Sequence, residues 1–180
     1  MGQNHQVAPK VCKFNTILID CFLMLKNVIV TGGLGFIGSN LIELLLKKKY
    51  KVINIDKVSY SSNFYNIKNF KNSRNYEFIK CDIGNKKIKK ILFKYKPICI
   101  FNLAAETHVD RSIDKPENFI QSNIVGVYHL LENFREFIKK YNSKLIHIST
   151  DEVYGDILKG RSSEKYPYKP SSPYAASKAA

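Results

Sequence analysis

The chain has no Cys-x-x-Cys pair. Its four cysteines, Cys12, Cys21, Cys81 and Cys99, stand apart, and no histidine falls at a metal-ligand spacing from them. A disulfide framework and a zinc site are therefore not expected, no metal is expected, and a reducing compartment is the default. Cys99 sits in an apolar run, where a free thiol behaves as a small core residue. Long apolar runs are lacking too. Residues 16–25 contain Asp20 and are too few to span a bilayer, so no membrane partner is expected. They follow Lys10 and Lys13 without a small-residue cleavage site, a poor secretory signal or presequence. After Met1-Gly2, Gln6 stands where a myristoylation signal wants Ser or Thr. Internal repeats and low-complexity tails are absent. Acids are scarce, 15 against 29 basic residues, for a net charge of +14. Such an excess suits nucleic acid, an acidic membrane or a phosphorylated ligand. The lysines, however, fall at helix ends and turns, as in Lys47-Lys48-Lys49 and Lys86-Lys87. They do not interleave with aromatics in a nucleic-acid motif. They read as a solvated face, and nucleic acid is not an expected partner.

What is present suits one globular domain. A length of 180 residues, 44% of them hydrophobic, builds one real core and not two. Met24-Leu25-Lys26-Asn27 reads as a natural beginning. Residues 1–26 are thus expected to be an extension, residues 27–180 the domain, and the location cytoplasmic.

Five short apolar runs alternate with helical patterns. The runs are Val28-Ile29-Val30, Val52-Ile53-Asn54-Ile55, residues 76–80 around Phe78-Ile79, residues 98–103 and residues 145–148. Continuous runs rich in Ile and Val suit parallel strands covered on both faces. Between them Ile37, Leu41, Leu44 and Leu45 keep helical spacing, as do Ile88, Ile91, Leu92 and Tyr95. The longest helix is expected to start at Asp114 as N-cap, with Pro116 in its first turn. Its buried face is expected at Ile120, Ile124, Val127, Leu131, Phe134 and Ile138. Residues 58–74 and 155–172 read as loops, the first with at most one short helix. The alternation predicts an α/β fold, a doubly wound parallel sheet.

The first strand runs into Thr31-Gly32-Gly33-Leu34-Gly35-Phe36-Ile37-Gly38 and then a helix. Gly33, Gly35 and Gly38 fit G-x-G-x-x-G, and Gly32, Gly35 and Gly38 fit G-x-x-G-x-x-G. Glycines allow the tight turn and let the backbone approach a pyrophosphate, which meets free N–H groups at the helix start. Asp56 ends the next strand, where a carboxylate accepts from ribose hydroxyls and repels a 2′-phosphate. That favours NAD over NADP, tempered by Lys57 beside it. The remaining polar clusters also follow strands: Cys81-Asp82-Ile83 the third, residues 104–112 the fourth and residues 149–155 the fifth. Ligands of open α/β sheets bind at that edge.

In His147-Ile148-Ser149-Thr150-Asp151-Glu152-Val153-Tyr154-Gly155, two adjacent acids beside a hydroxyl can divide the roles of general acid and base, if their surroundings separate their pKa values. A solvated turn with Thr150 as helix cap is the plainer alternative. In Tyr174-Ala175-Ala176-Ser177-Lys178 the phenol and ammonium share a helix face. A nearby cation stabilises phenolate and is expected to lower the pKa of Tyr174, making it a base toward a sugar hydroxyl.

With these residues assembled, the chain resembles the extended short-chain dehydrogenase/reductase family over residues 26–180. It is most similar to the branch that dehydrates nucleoside-diphosphate-glucose at carbons 4 and 6. The likeness is most specific in residues 103–113, 149–155 and 170–178. Sister epimerases and decarboxylases share the Gly loop and Tyr-x-x-x-Lys but generally lack the Thr-Asp-Glu run. The resemblance implies a Rossmann-like NAD-binding domain. It places NAD on Gly32, Gly35, Phe36, Ile37, Gly38, Asp56, Lys57, Val58, Ser59, Asp82, Ile83, Leu103, Ala104, Ala105, Ser122, Tyr174 and Lys178. Thr107 and Thr150 would contact the glucosyl group of a nucleotide-sugar substrate, expected to be dTDP-glucose. Tyr174 would take the C4 hydroxyl proton, Lys178 would hold the nicotinamide ribose, Glu152 would remove the C5 proton and Asp151 would protonate the leaving C6 hydroxyl. Leu34 departs from the family, which often has a smaller residue there, and any mild clash depends on the turn. The helix opening near Pro173 has barely begun at Ala180, so the chain reads as stopping before further strands and a smaller substrate domain. The resemblance also implies a homodimer, with the long helix as a candidate face. Sister epimerases or decarboxylases, a non-catalytic NAD-binding module and a basic nucleic-acid binder are the competing readings.

Overall fold

A computed structural model describes residues 25–180. The readings of Met1-Gly2, Cys12, Cys21 and most of the run 16–25 lie outside the described residues. The order is β1 (Asn27–Thr31), α1 (Phe36–Lys47), β2 (Lys51–Asp56), β3 (Tyr76–Lys80), α2 (Lys87–Tyr95), β4 (Cys99–Asn102), α3 (Val109–Asp114), α4 (Pro116–Phe119), α5 (Gly126–Ile138), β5 (Lys144–His147) and α6 (Pro173–Ala179). The strands form one parallel sheet in the order β3-β2-β1-β4-β5. The doubly wound fold and all five expected strands are borne out.

Side chains alternate across the sheet, so each strand feeds both faces. Ile29, Ile53 and Ile100 face one core with Ile88 and Leu92 of α2 and Leu130 and Phe137 of α5. Val28, Val30 and Val52 face the other with Ile42 and Leu45 of α1 and Ile67 and Phe70 of the following loop. Ile88, Ile91, Leu92 and Tyr95 are all buried, as their spacing predicted. In α1, by contrast, Ile37 and Leu44 are exposed, and Gly38, Ser39, Ile42 and Leu45 are buried. Cys81 is buried and Cys99 half-buried, both free thiols.

The long helix is where expectation and structure part. Asp114 does not cap it but ends α3, and Lys115 takes the N-cap position before Pro116. Residues Ile120–Val125 then form a π-helical turn between α4 and α5. The buried face is Phe119, Asn123, Gly126, Leu130 and Phe137, while Ile120, Leu131 and Ile138 are exposed. That is one residue out of phase with the expected stripe. Apolar spacing finds a helix but cannot say which of two apolar stripes turns inward, and here the inward one contains a buried asparagine.

Candidate active site

The Gly loop is shaped by contact with the segment after β4. Gly32 has φ +69, and a Cβ there would lie 2.9 Å from the Ala104 backbone. Gly38 sits over the turn, where a Cβ would be 2.4 Å from the Gly32 carbonyl oxygen. Gly35 is the N-cap of α1 and brings no side-chain cap, so the helix start faces the cleft bare. Helix amides and the positive dipole end suit a phosphate there.

Asp56 is buried and locks this loop. One carboxylate oxygen accepts from the Leu34 N–H at 3.0 Å, the other from the Val58 N–H and the Ser62 hydroxyl, each at 2.8 Å. Leu34 causes no clash: its side chain points into the core, fully buried. Its carbonyl accepts from the Asn63 N–H and the Asn66 amide. Val58 has φ 62, a strained conformation for a β-branched residue. It places the N–H on Asp56 and the side chain against the core.

A cleft of about 460 Å³ opens at the carboxyl ends of the strands. Its lining includes Gly32, Gly35, Phe36, Ile37 and Gly38, then Asp56, Lys57 and Ser59 after β2 and Asp82 and Ile83 after β3. Leu103, Ala104, Ala105 and Thr107 after β4, Ser122 of the π-turn, and Tyr174 and Lys178 of α6 complete it. Of the residues expected at a cofactor, only Val58 is off the lining, for the reason just given. Cys81, His108 and Ser149, from the polar clusters expected at that edge, also line it, as do Ser61 and Ser62, which were not singled out. Each follows a strand end, the positional rule that picked out their neighbours.

Lys57 turns away from Asp56. Its ammonium donates to Glu106 at 2.8 Å and to the Ser122 hydroxyl at 2.7 Å, with the Glu106 side chain nearly buried. Glu106 and Asn123 then clasp each other. The Glu106 N–H donates to the Asn123 side-chain oxygen at 2.9 Å, and the Asn123 amide donates to the Glu106 carbonyl at 3.0 Å and to the Ser177 hydroxyl at 2.9 Å. Ser177 donates to the Tyr174 carbonyl at 2.7 Å, and the Tyr174 N–H donates to the Ser112 hydroxyl at 3.1 Å. A buried polar chain thus ties β2, the β4 loop and the π-turn to α6. Sequence reasoning missed Asn123, Ser112 and Ser177; only their later burial marks them.

Tyr174 stands in the first turn of α6, which Ser172 caps by accepting from the Ala175 N–H at 3.0 Å. Thr150 caps the short 3-10 turn Asp151–Tyr154. The plainer reading of Thr150 as a cap is borne out, and its hydroxyl also lies beside the Tyr174 phenol. Burial pushes that phenol above 10.0, the Thr150 hydroxyl pulls it down, and the charges of Glu152 and Asp151 raise it again. Asp151 and Glu152 are themselves exposed, and with Thr150 they lie beyond the cleft lining, within reach of the phenol for their charges to act on it. The expected lowering by Lys178 is corrected. Its ammonium donates instead to the Ile148 carbonyl at 2.5 Å, and its own pKa is lowered by burial. The acids and burial, not the cation, set the phenol's affinity for its proton here.

Among the described residues, no cluster of three His, Cys, Asp or Glu could hold a metal, and no helix is long and apolar enough to cross a membrane. Sheet, Gly loop and cleft define a doubly wound nucleotide-binding domain with its cleft at the carboxyl ends of the strands. Residues 29–180 match the family described as GDP-mannose 4,6 dehydratase, and the chain belongs to that family. It is 45% identical over 166 residues to a dTDP-glucose 4,6-dehydratase of Haemophilus influenzae, covering 87% of this chain and 49% of that protein. Among solved structures it is similar to the dTDP-glucose 4,6-dehydratase of Streptomyces venezuelae with NAD bound (TM-score 0.79, 36% identity, 85% of this chain and 48% of that one). It is also similar to a UDP-glucose 4-epimerase of Thermus thermophilus in complex with NAD (TM-score 0.75, 32% identity, 85% and 47%). The resemblance to the dehydratase branch is borne out. The chain spans about half the length of the relatives it matches.

Proposed function

We propose that this chain is the cofactor-binding part of an NAD-dependent nucleoside-diphosphate-glucose 4,6-dehydratase acting on dTDP-glucose. Residues 27–180 are the cofactor domain and residues 1–26 an extension to it. The observation that carries the reading is Thr150 beside the phenol of Tyr174, from a separate element, with the charges of the adjacent Asp151 and Glu152 acting on that phenol. A fold that only stored NAD has no use for two acids at that place. The glycine cradle and the uncapped start of α1 fit a dinucleotide pyrophosphate. Asp56 fits a ribose, and Lys57, held by Glu106, is not free to meet a 2′-phosphate. Free Cys81 and Cys99 fit a cytoplasmic location.

When bound, NAD supplies the hydride acceptor at sugar C4 and the hydride donor at C6. The protein moves the protons. Tyr174 takes the C4 hydroxyl proton, with the Thr150 hydroxyl donating to the phenolate that accepts it. Lys178 and the segment after β4 orient the nicotinamide end, and Thr107 and Thr150 hold the glucosyl group. Once C4 is a ketone, the C5 proton is acidic and Glu152 removes it. Asp151 acts as the general acid toward the C6 oxygen as water leaves.

In the complete enzyme, Tyr174→Phe is expected to cut turnover by about a thousandfold while NAD stays bound. Glu152→Gln is expected to accumulate reduced nicotinamide, seen by absorbance, without 4-keto-6-deoxy sugar. Formation of a 4-epimer or a pentose would move the chain to the sister enzymes. NAD binding without turnover by the complete wild-type chain would leave only a binding module, and full activity in both variants would remove Tyr174 and Glu152 from the chemistry.

The substrate reading brings a partner reading with it. Ile120, Tyr128, Leu131 and Ile138 form an exposed apolar stripe on one side of the long helix, 45–58% exposed. A second copy of the chain is the proposed occupant, stripe against stripe. Leu131→Asp is expected to halve the mass seen by sedimentation. A wild type that sediments as a monomer would end the dimer proposal.

A further inference from the structure

A second polar chain, separate from the Glu106–Asn123 one, runs across the sheet under the cleft. The fully buried Thr31 hydroxyl accepts from the Ala104 N–H at 3.1 Å and donates to the Asn102 side-chain oxygen at 2.6 Å. The Asn102 side-chain nitrogen meets His147 Nδ1 at 2.9 Å. Only one orientation satisfies every member. If the Asn102 amide were turned over, it would donate to Thr31, and the fully buried Thr31 hydroxyl would lose the Asn102 oxygen that accepts its proton. The nitrogen of Asn102 therefore donates to His147, so Nδ1 is the acceptor and the ring proton sits on Nε2. The chain starts on the cleft lining at Ala104, whose backbone closely meets Gly32. It ends beside Ile148, whose carbonyl holds Lys178.

We propose that His147 is a positioning residue for the cofactor cleft, the terminal acceptor of a one-way Ala104–Thr31–Asn102–His147 relay that fixes Ala104 and the Lys178 anchor together. The inference rests on the reading of the cleft as an NAD site. A proton added at Nδ1 would set N–H against N–H and force the amide over, orphaning Thr31. The surroundings resist it. His147 stands on the edge strand with its outer side exposed, but partial desolvation of the ring still lowers its pKa below 6.5, and Lys178 of α6 lowers it further, while β4 and β1 present only neutral Asn102 and Thr31. The relay is accordingly intact above the ordinary imidazole value and is lost as pH falls through the lower folded-state value.

The test has two independent parts. Nitrogen NMR of the imidazole in the unliganded chain is expected to show the Nε2–H tautomer; an Nδ1–H ring would overturn the relay. Calorimetric titration with NAD between about pH 5 and 8 is expected to show wild-type affinity falling at the acid end. His147→Asn places an amide oxygen where Nδ1 accepts and cannot titrate. It should keep the high-pH affinity and lose the acid-side fall. His147→Phe keeps the ring but not the acceptor, and should bind about tenfold more weakly at every pH. The same acid-side fall in His147→Asn as in wild type sinks the proposal. A wild type that binds no NAD at pH 8 sinks the cofactor reading instead, and the tautomer alone then decides the relay. Should His147→Phe fail to fold, the Asn variant and the tautomer carry the decision.

Discussion

Gly38→Ala is expected to weaken NAD binding by at least about a hundredfold. The added methyl would sit 2.4 Å from the Gly32 carbonyl oxygen and 2.8 Å from the Gly33 Cα. Both are backbone atoms of the turn itself, so no side chain can swing away to make room. The turn must open or α1 must retreat, and either moves the helix start from the place a pyrophosphate needs. Gly32 cannot give way, because its own position is fixed by the Ala104 backbone on its other side. Gly35→Ala meets only the Gly32 carbonyl oxygen, at 3.2 Å, and should be much milder. Calorimetric titration of both variants, with circular dichroism to check folding, makes the comparison. Affinity in Gly38→Ala within about threefold of wild type would show that the loop does not carry the phosphate.

Asn123→Ala is expected to destabilise the chain by about 3 kcal/mol. The side chain is buried and makes three hydrogen bonds, two of them to the Glu106 backbone. Removal leaves an N–H and a carbonyl unpaired where water cannot reach them, at about 1–3 kcal/mol each. Glu106 is also the partner of Lys57, so a displaced loop would also disturb that half-buried charge pair. Against a typical total of about 5–15 kcal/mol, that is a large fraction. Urea denaturation measures it, with Asn118→Ala, an exposed neighbour, as the near-neutral control. A midpoint in Asn123→Ala equal to that of the control would mean that the π-turn is held by packing alone.

The sheet was legible because β1 and β2 bury both faces and therefore show as unbroken apolar runs, as at Val28-Ile29-Val30, and the more exposed β3 and β5 still keep apolar residues at their centres. The cleft was legible because function sits at one sheet edge, and residues such as Asp82 and Ala104 fall there by chain position alone. Two things were not. The inward face of the long helix was missed because Asn123 and Gly126, the residues that face the core, are not apolar, whereas Leu131 and Ile138 are apolar and exposed. The electrostatics of Tyr174 were misread because Tyr-x-x-x-Lys gives a shared helix face but not a direction for the ammonium. In the fold that ammonium finds the Ile148 carbonyl, an acceptor thirty residues away that no local spacing announces.

The sheet order has a consequence for how the chain assembles. Val28 of β1 is flanked by Val52 on one side and by Cys99 on the other. The first partner is close in sequence and the second far, so closing the β1–β4 seam costs more loop entropy than closing β1–β2. Pairings of high contact order form late. During synthesis at a ribosome, β1 and β2 can zip while β4 is still being made, leaving the open side of β1, with Ile29 and Val30 along it, uncovered. That half-built edge is where a chaperone would be needed, and where newly made chains would stick to each other without one.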